Sequence, residues 1–354
     1  MDIARFFIPY IAGKNKNPIL FSDAFARSDG AVGNGWVGAT WTLASGKALN
    51  TPNISPTELL TDGGLENWDS ETALTSWTET LAGTSTLNRE GTVIDSGTYA
   101  LRIDVDASNS LSYIRQTITA VNKWVFVDFK LRTTGGYGNV SLATSATQSP
   151  AFAPGATYTE YKTSLRSAAT GNALRLLRYN AASKSIYFDT VSAKTLTESE
   201  LILSRPVCPT SDYVLSVNVA TLESGTHAGI VFALDNPANP LNYYIATFCG
   251  SDFSGVSLAK VVNGVYTPVI SDTNPLPTTV FTANDKITIA KSGANLRIYK
   301  NDSLVSVTQT IDAGLVNNLY AGLFSTYSGN QFDNWSEQVK PVGGSSSFVD
   351  AFFL

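Results

Sequence analysis

Apolar residues recur at every second position along most of this chain, and a period of 3.6 is sustained almost nowhere. Tyr99-Ala-Leu-Arg-Ile-Asp-Val105, Lys123-Trp-Val-Phe-Val-Asp-Phe129, Tyr213-Val-Leu-Ser-Val-Asn-Val219 and Lys286-Ile-Thr-Ile-Ala290 each send their apolar side chains to one face. Two-residue alternation suits a half-buried strand and does not suit a helix. Turn-forming pairs punctuate these runs: Gly135-Gly136, Pro154-Gly155, Asn263-Gly264, Ser292-Gly293 and Asn301-Asp302. Many short strands joined by tight turns predict antiparallel sandwiches or jelly rolls, not a parallel α/β sheet. The fold class is all-β, with at most a helical turn near Glu198-Ser-Glu200.

The chain reads as more than one such unit. Its 354 residues are long enough for two domains. Phe21-Ser-Asp-Ala-Phe25, Asp29-Gly30 and Trp36 look like the opening strands of a sandwich. That pattern stops after Trp41-Thr-Leu-Ala-Ser-Gly-Lys47, too short to enclose a core, and resumes at Leu201-Ile-Leu-Ser-Arg205. A self-contained β pattern starting at Leu59-Leu-Thr-Asp-Gly-Gly-Leu-Glu66 fills the gap. The expected architecture is two antiparallel β-sandwiches of jelly-roll type, one inserted into the other. Residues 21–57 plus 198–340 form the outer sandwich and 58–197 the inserted one. Residues 1–20 are an apolar docking arm, and 341–354 are a Gly/Ser linker with a second docking peptide. In that tail Phe348-Val-Asp-Ala-Phe352 echoes Phe21-Ser-Asp-Ala-Phe25.

Composition narrows the function. Charged residues make up 15%, against about 25% in ordinary globular proteins, and the formal net charge is −5. With no Lys/Arg run, nucleic acid is excluded as a partner. Cys208 and Cys249 are the only cysteines, so they either form one bridge or stay as two thiols. A sole histidine, His227, leaves a zinc site hard to build. The N-terminal apolar run is too short to span a membrane. Asp2 and Pro9 make it a poor export signal.

The order of motifs within 58–197 resembles the jelly-roll carbohydrate-binding modules. It runs from Asp62-Gly-Gly-Leu-Glu66 through Trp77, Gly97-Thr-Tyr-Ala-Leu-Arg-Ile103 and Ile114-Arg-Gln116 to Ser185-Ile-Tyr-Phe-Asp189-Thr-Val191. The opening departs from that pattern, with Asp62-Gly-Gly-Leu65 where Asn-Gly-x-Phe is typical. The outer segments resemble concanavalin A-like, laminin-G-like sandwiches through Phe21-x-Asp-x-Phe25, Gly225-Thr-His-Ala-Gly-Ile-Val-Phe232 and Phe332-Asp-Asn-Trp335. In that fold the first and last strands pair, which would bring Asp23 near Asp333.

Sugar recognition needs flat apolar rings for the ring faces and planar polar groups for the hydroxyls. Tyr113, Arg115, Tyr137, Gln148 and Tyr158 are the candidate carbohydrate-binding residues, with Gln116 a further polar candidate. Trp77 and Trp124, in apolar strand contexts, read as core. The resemblance also implies a structural Ca²⁺ held by Glu66 and Asp189, whose hard oxygen ligands suit that ion. No glucanase Glu-x-Asp-x-x-Glu strand, nucleophile elbow or phosphate loop occurs, so no enzyme is expected.

The low-charge surface, the lectin-like pair, the apolar ends and the missing export signal resemble tailed-phage virion proteins. The resulting expectation is a virion structural or accessory protein of tail, fibre or capsid decoration. It would dock on other virion proteins as part of a homo-oligomer or larger assembly, and attach to host-surface glycans without membrane insertion. The alternatives are a decoration subunit without ligand binding, or an accessory module of a polysaccharide-degrading enzyme.

Overall fold

The computed structural model describes residues 19–105, 112–143, 150–179, 184–207, 212–249, 255–270, 281–305 and 308–339. Residues 1–18 of the expected arm, the whole 341–354 tail, Cys208 and Gln148 lie outside them. The fold is all-β and antiparallel; among the described residues the one helical element is a 3₁₀ turn at Glu198–Leu201.

One sandwich is built from a four-stranded and a five-stranded sheet. The first runs in the order Tyr137–Leu142, Ala173–Tyr179, Tyr113–Thr117, Thr78–Thr80. The second runs Thr159–Arg166, Trp124–Thr133, Ser185–Thr195, Ala100–Asp104, Thr86–Glu90. The alternation seen in the sequence decides what faces inward. Ile114, Val140, Leu174 and Leu176 from one sheet meet Ile103, Val127, Phe129 and Phe188 from the other in a closed core. Trp77 belongs to that core and donates its Nε1–H to the Asp62 carbonyl at 3.1 Å.

The other sandwich packs a ten-stranded sheet on a six-stranded one, with a core drawn from Phe25–Ala48 and Leu203–Trp335. Strand Ile19–Asp23 runs antiparallel to Gln331–Val339, placing Asp23 opposite Trp335. Asp23 and Asp333 nevertheless share no site. Asp23 accepts hydrogen bonds from Arg27, Asn34, Trp36 and the Phe25 amide, whereas Asp333 pairs with Lys47 at 2.5 Å. Burial pushes the Asp23 carboxyl up, but those hydrogen bonds outweigh it and hold the pKa below the usual range.

The six-stranded sheet is covered on both faces at its centre, while its edge strand Val265–Ile270 is largely exposed. Strand His227–Leu234 is buried at every position. Its Ile230 and Phe232 enter the core of its own sandwich, while Val231 and Leu234 pack against Trp124, Phe126 and Leu196. A strand buried on both faces loses alternation and reads as a continuous apolar run.

Trp124 is fully buried at this junction, its ring centroid 4.9 Å from His227, 5.6 Å from Phe324 and 6.0 Å from Tyr266. Hydrogen bonds cross there too: the Gly225 carbonyl accepts the Ser164 N–H at 2.9 Å and the Thr163 hydroxyl at 2.8 Å. Gly225 has φ +80°, and a Cβ there would lie 2.6 Å from the Lys162 carbonyl oxygen, so only glycine allows this approach.

Candidate functional site

Side-chain alternation defines the outward face of the four-stranded sheet. Ile114 points into the core, so Tyr113, Arg115 and Thr117 point out. Leu174 and Leu176 point in, so Arg175 and Leu177 point out. Val140 and Leu142 point in, so Tyr137, Asn139 and Ser141 point out. Register aligns these residues across the strands. Asn139, Leu177, Tyr113 and Thr80 form one row, and Ser141, Arg175, Arg115 and Thr78 the next. With strands about 4.8 Å apart, each row spans about 14 Å.

The chemistry of this face is mixed in a useful way. The Arg175 guanidinium lies over the Tyr113 ring, 4.8 Å from its centroid, which fixes both groups. Arg115 is exposed beside it, and Tyr137 is 42% exposed at the end of the face. Asn139 is only 2% exposed, yet its Oδ1 has no hydrogen-bond partner, and neither does the Arg175 Nε. An orphaned buried acceptor is costly and therefore informative. Neither row contains a carboxylate. Glu79, opposite Ile114, turns to the other side of its strand, and burial raises its pKa. The face thus exposes Arg115 and Tyr137, and Tyr113 and Arg175 in part, while Asn139 and Leu177 in the same row as Tyr113 are buried.

Three of the sequence-predicted residues, Tyr113, Arg115 and Tyr137, come together here. Gln148 lies outside the described residues. Tyr158 is elsewhere: its hydroxyl donates to the Val93 carbonyl at 3.0 Å, and burial, with the nearby Asp189 charge, raises its pKa. Gln116 points inward, accepting the Thr61 N–H at 2.7 Å and donating to the Ser76 carbonyl at 2.9 Å. Arg175 and Asn139 escaped the sequence reading. Arg175 had a signal, as a lone charge between Leu174 and Leu176 in an alternating strand.

Glu66 and Asp189 grip the same loop from two sides. Glu66 accepts the amides of Thr98 and Tyr99 at 2.9 and 3.1 Å. Asp189, with no exposed surface, accepts those of Asp95 and Ser96 at 2.8 and 3.2 Å and the Thr190 hydroxyl at 3.0 Å. Gly97, at φ +69°, sits where a Cβ would lie 1.7 Å from Glu66 Oε1. Both carboxylates face donors, chiefly N–H groups together with the Thr190 hydroxyl on Asp189, and so clamp this loop. Among the described residues no three His, Cys, Asp or Glu side chains are grouped to hold a metal.

Two further places carry polar chemistry. Ser164 Oγ lies 3.1 Å from His227 Nδ1 and 2.7 Å from Thr326 Oγ1. Ser164 has no exposed surface and His227 is 3% exposed, so this pair fastens the junction and meets no substrate. A cleft at the same junction is lined by Asn122, Lys123, Arg166, Glu198, Asn239 and Leu241. Two of its charges are spent internally, with Arg166 paired to Glu198 at 2.5 Å and Glu198 also meeting the Tyr243 hydroxyl. Burial and then the Glu198 charge push the Tyr243 pKa well above its ordinary value.

Neither protein-family comparison nor comparison with curated proteins returns a match. Among solved structures, the chain is similar to a carbohydrate-binding module of class CBM66 from Bacillus subtilis. That likeness has 18% identity and a TM-score of 0.29, covering 38% of this chain and 76% of that one. It is also similar to the CBM22-1 xylan-binding domain from Paenibacillus barcinonensis, with 11% identity, TM-score 0.30, and 52% and 99% of the two chains covered. The tandem of two such domains from the same organism covers 82% of this chain and 98% of its own, at 9% identity and TM-score 0.32. Likeness at that level says nothing of what this chain binds.

Proposed function

We propose that this chain is a non-catalytic carbohydrate-binding protein that takes glycan on the outward face of its four-stranded sheet. The observation carrying this reading is the pair of aligned rows through Tyr113 and Arg115, with Arg175 stacked on Tyr113 and the buried Asn139 Oδ1 left without a partner. A pyranose presents C–H groups that suit a tyrosine ring and hydroxyls that suit guanidinium and amide groups. Sites of this kind are weak singly and gain avidity from repeated display.

The setting we propose is a virion, where many copies attach a particle to host-surface glycans. The low-charge, Ser/Thr/Asn-rich composition and the apolar sequences at 1–20 and 341–354 support it. The two cores are read as nested domains, 58–197 within 21–57 plus 198–340. Limited proteolysis should then release a resistant fragment of residues 58–197 while the flanking pieces stay associated. The binding reading is tested by affinity electrophoresis of the purified chain through gels containing soluble plant, bacterial and capsular polysaccharides. At least one polysaccharide should retard it, and Tyr113→Ala should abolish the retardation while leaving the thermal melt unchanged. Binding by none of them, or undiminished binding by Tyr113→Ala, overturns the reading.

A further inference from the structure

Resting on the glycan-binding reading, we infer that the preferred ligand is an acidic polysaccharide, one bearing a carboxylate on its sugars. The reason is a pair of like charges that no carboxylate among the described residues balances. Arg115 and Arg175 sit directly opposite each other on adjacent strands, both on the outward face. Like charges placed opposite across a strand pair destabilise a sheet. Five other arginines meet a carboxylate, whereas Arg132 lies over the Tyr187 ring and Arg297 donates to the Thr308 hydroxyl, neither of them set opposite another arginine. Arg27 meets Asp23, Arg89 meets Glu71, Arg102 meets Glu90 and Asp104, Arg166 meets Glu198, and Arg205 meets Glu337. Among the described residues Arg115 and Arg175 have no carboxylate partner, although acidic residues outnumber basic ones in the chain, 29 to 24.

Geometry narrows the anion. A guanidinium presents parallel N–H groups that match a planar carboxylate two at a time. Arg175 is held over the Tyr113 ring, so its guanidinium is set before ligand arrives. Tyr113 supplies an apolar surface next to the forks, and Asn139 an amide in the same row as Tyr113. A ring stacked beside a carboxylate is the shape of a uronic acid residue. A long polyanion such as nucleic acid would meet a chain of net charge −5.

The test compares one polymer in two charge states. Polygalacturonate and its fully methyl-esterified form share a backbone and differ in the carboxylate charge. Binding of the full chain to short oligomers of each is measured by calorimetry at 50 and 300 mM NaCl. The acid form should bind at least about tenfold more tightly at low salt, an advantage that shrinks at high salt. Arg115→Ala and Arg175→Ala should each remove most of that advantage, and Arg115→Lys should keep part of it. Equal binding of both forms, or an acid preference that survives both alanine variants, overturns the acidic assignment and leaves the sheet-face reading standing. If neither form binds but a neutral glycan is retained through Tyr113, the acidic assignment likewise fails alone. If no glycan of any charge binds, the glycan reading itself fails. Unchanged thermal melts of the variants show that lost binding is not lost folding.

Discussion

Replacing Trp124 with alanine should uncouple the two sandwiches. Trp124 opens strand Trp124–Thr133, and its side chain lies with Phe126 on the face turned away from its own core. It is wholly buried against the outer face of the six-stranded sheet, among His227, Tyr266 and Phe324, with the Arg166 guanidinium 5.8 Å from its ring. Truncation of a buried Trp costs about 3–5 kcal/mol. The indole Nε1 has no hydrogen-bond partner, so only packing is lost and the lower end, about 3 kcal/mol, applies. For cooperative units of 150–250 residues that corresponds to a Tm fall of about 6–12 °C. Calorimetry should show that fall, with the heat-absorption peak broadening or splitting as one sandwich melts before the other. Trp124→Phe, which keeps most of the ring, should lose less than half as much. A shift smaller than about 2 °C would mean that the junction does not stabilise the fold, and the account of a six-stranded sheet buried on both faces at its centre would be wrong.

Acid should weaken the protein in a defined window. Asp23, Glu90 and Asp285 all have folded pKa values below their ordinary ones, because hydrogen bonds and ion pairs outweigh the upward push of burial. A depressed carboxylate contributes stability that is complete above its unfolded pKa and is lost as pH falls through the folded one. Urea midpoints should therefore hold between pH 5 and 7 and drop progressively below about pH 4; a flat profile down to pH 2 would contradict these assignments. Asp189→Ala leaves the part-buried amides of Asp95 and Ser96 without their acceptor and should cost about 3 kcal/mol in urea unfolding, since bonds to charged groups contribute about 1.5–3 kcal/mol each. Because N–H groups already satisfy Glu66 and Asp189, EDTA should leave the wild-type Tm unchanged, and a Ca²⁺-dependent rise would refute the loop-clamp reading. Tyr158→Phe, which loses one hydrogen bond to Val93, should lower stability by about 1 kcal/mol without altering glycan binding; a binding defect would place Tyr158 at the ligand.

Strands were the most legible part of the molecule, because alternation is written directly into Tyr213–Val219 or Ala100–Asp104 and needs no partner to be read. The junction was not legible in the same way. His227–Leu234 carried the signal as an unbroken apolar run, but a run buried on both faces does not say what covers the second face. Trp124 was expected in a core and lies in one, though it joins two sandwiches and does not fill the middle of either. In the candidate site, Tyr113 and Arg115 could be placed on one face because they are two residues apart on one strand. Arg175 could not be added without the register that sets it opposite Arg115, a pairing across 60 residues. Gln116 shows the converse. Its residue type suits sugar hydroxyls, yet its position beside Arg115 turns it inward, where it ties Thr61 to Ser76. Glu66 and Asp189 were expected to hold a Ca²⁺; the loop amides they accept could not be read, because which donors face a carboxylate is a matter of loop conformation that residue identity does not encode.

The most direct test of the central claim is a crystal structure of the full chain with a short glycan that it retains in affinity electrophoresis. Sugar density lying along the Tyr113–Arg115–Arg175 face, with a hydroxyl or carboxylate on each guanidinium and a donor on the Asn139 Oδ1, is the predicted result. Density in the junction cleft beside Lys123 and Leu241, or on the other sandwich with this face bare, would contradict it.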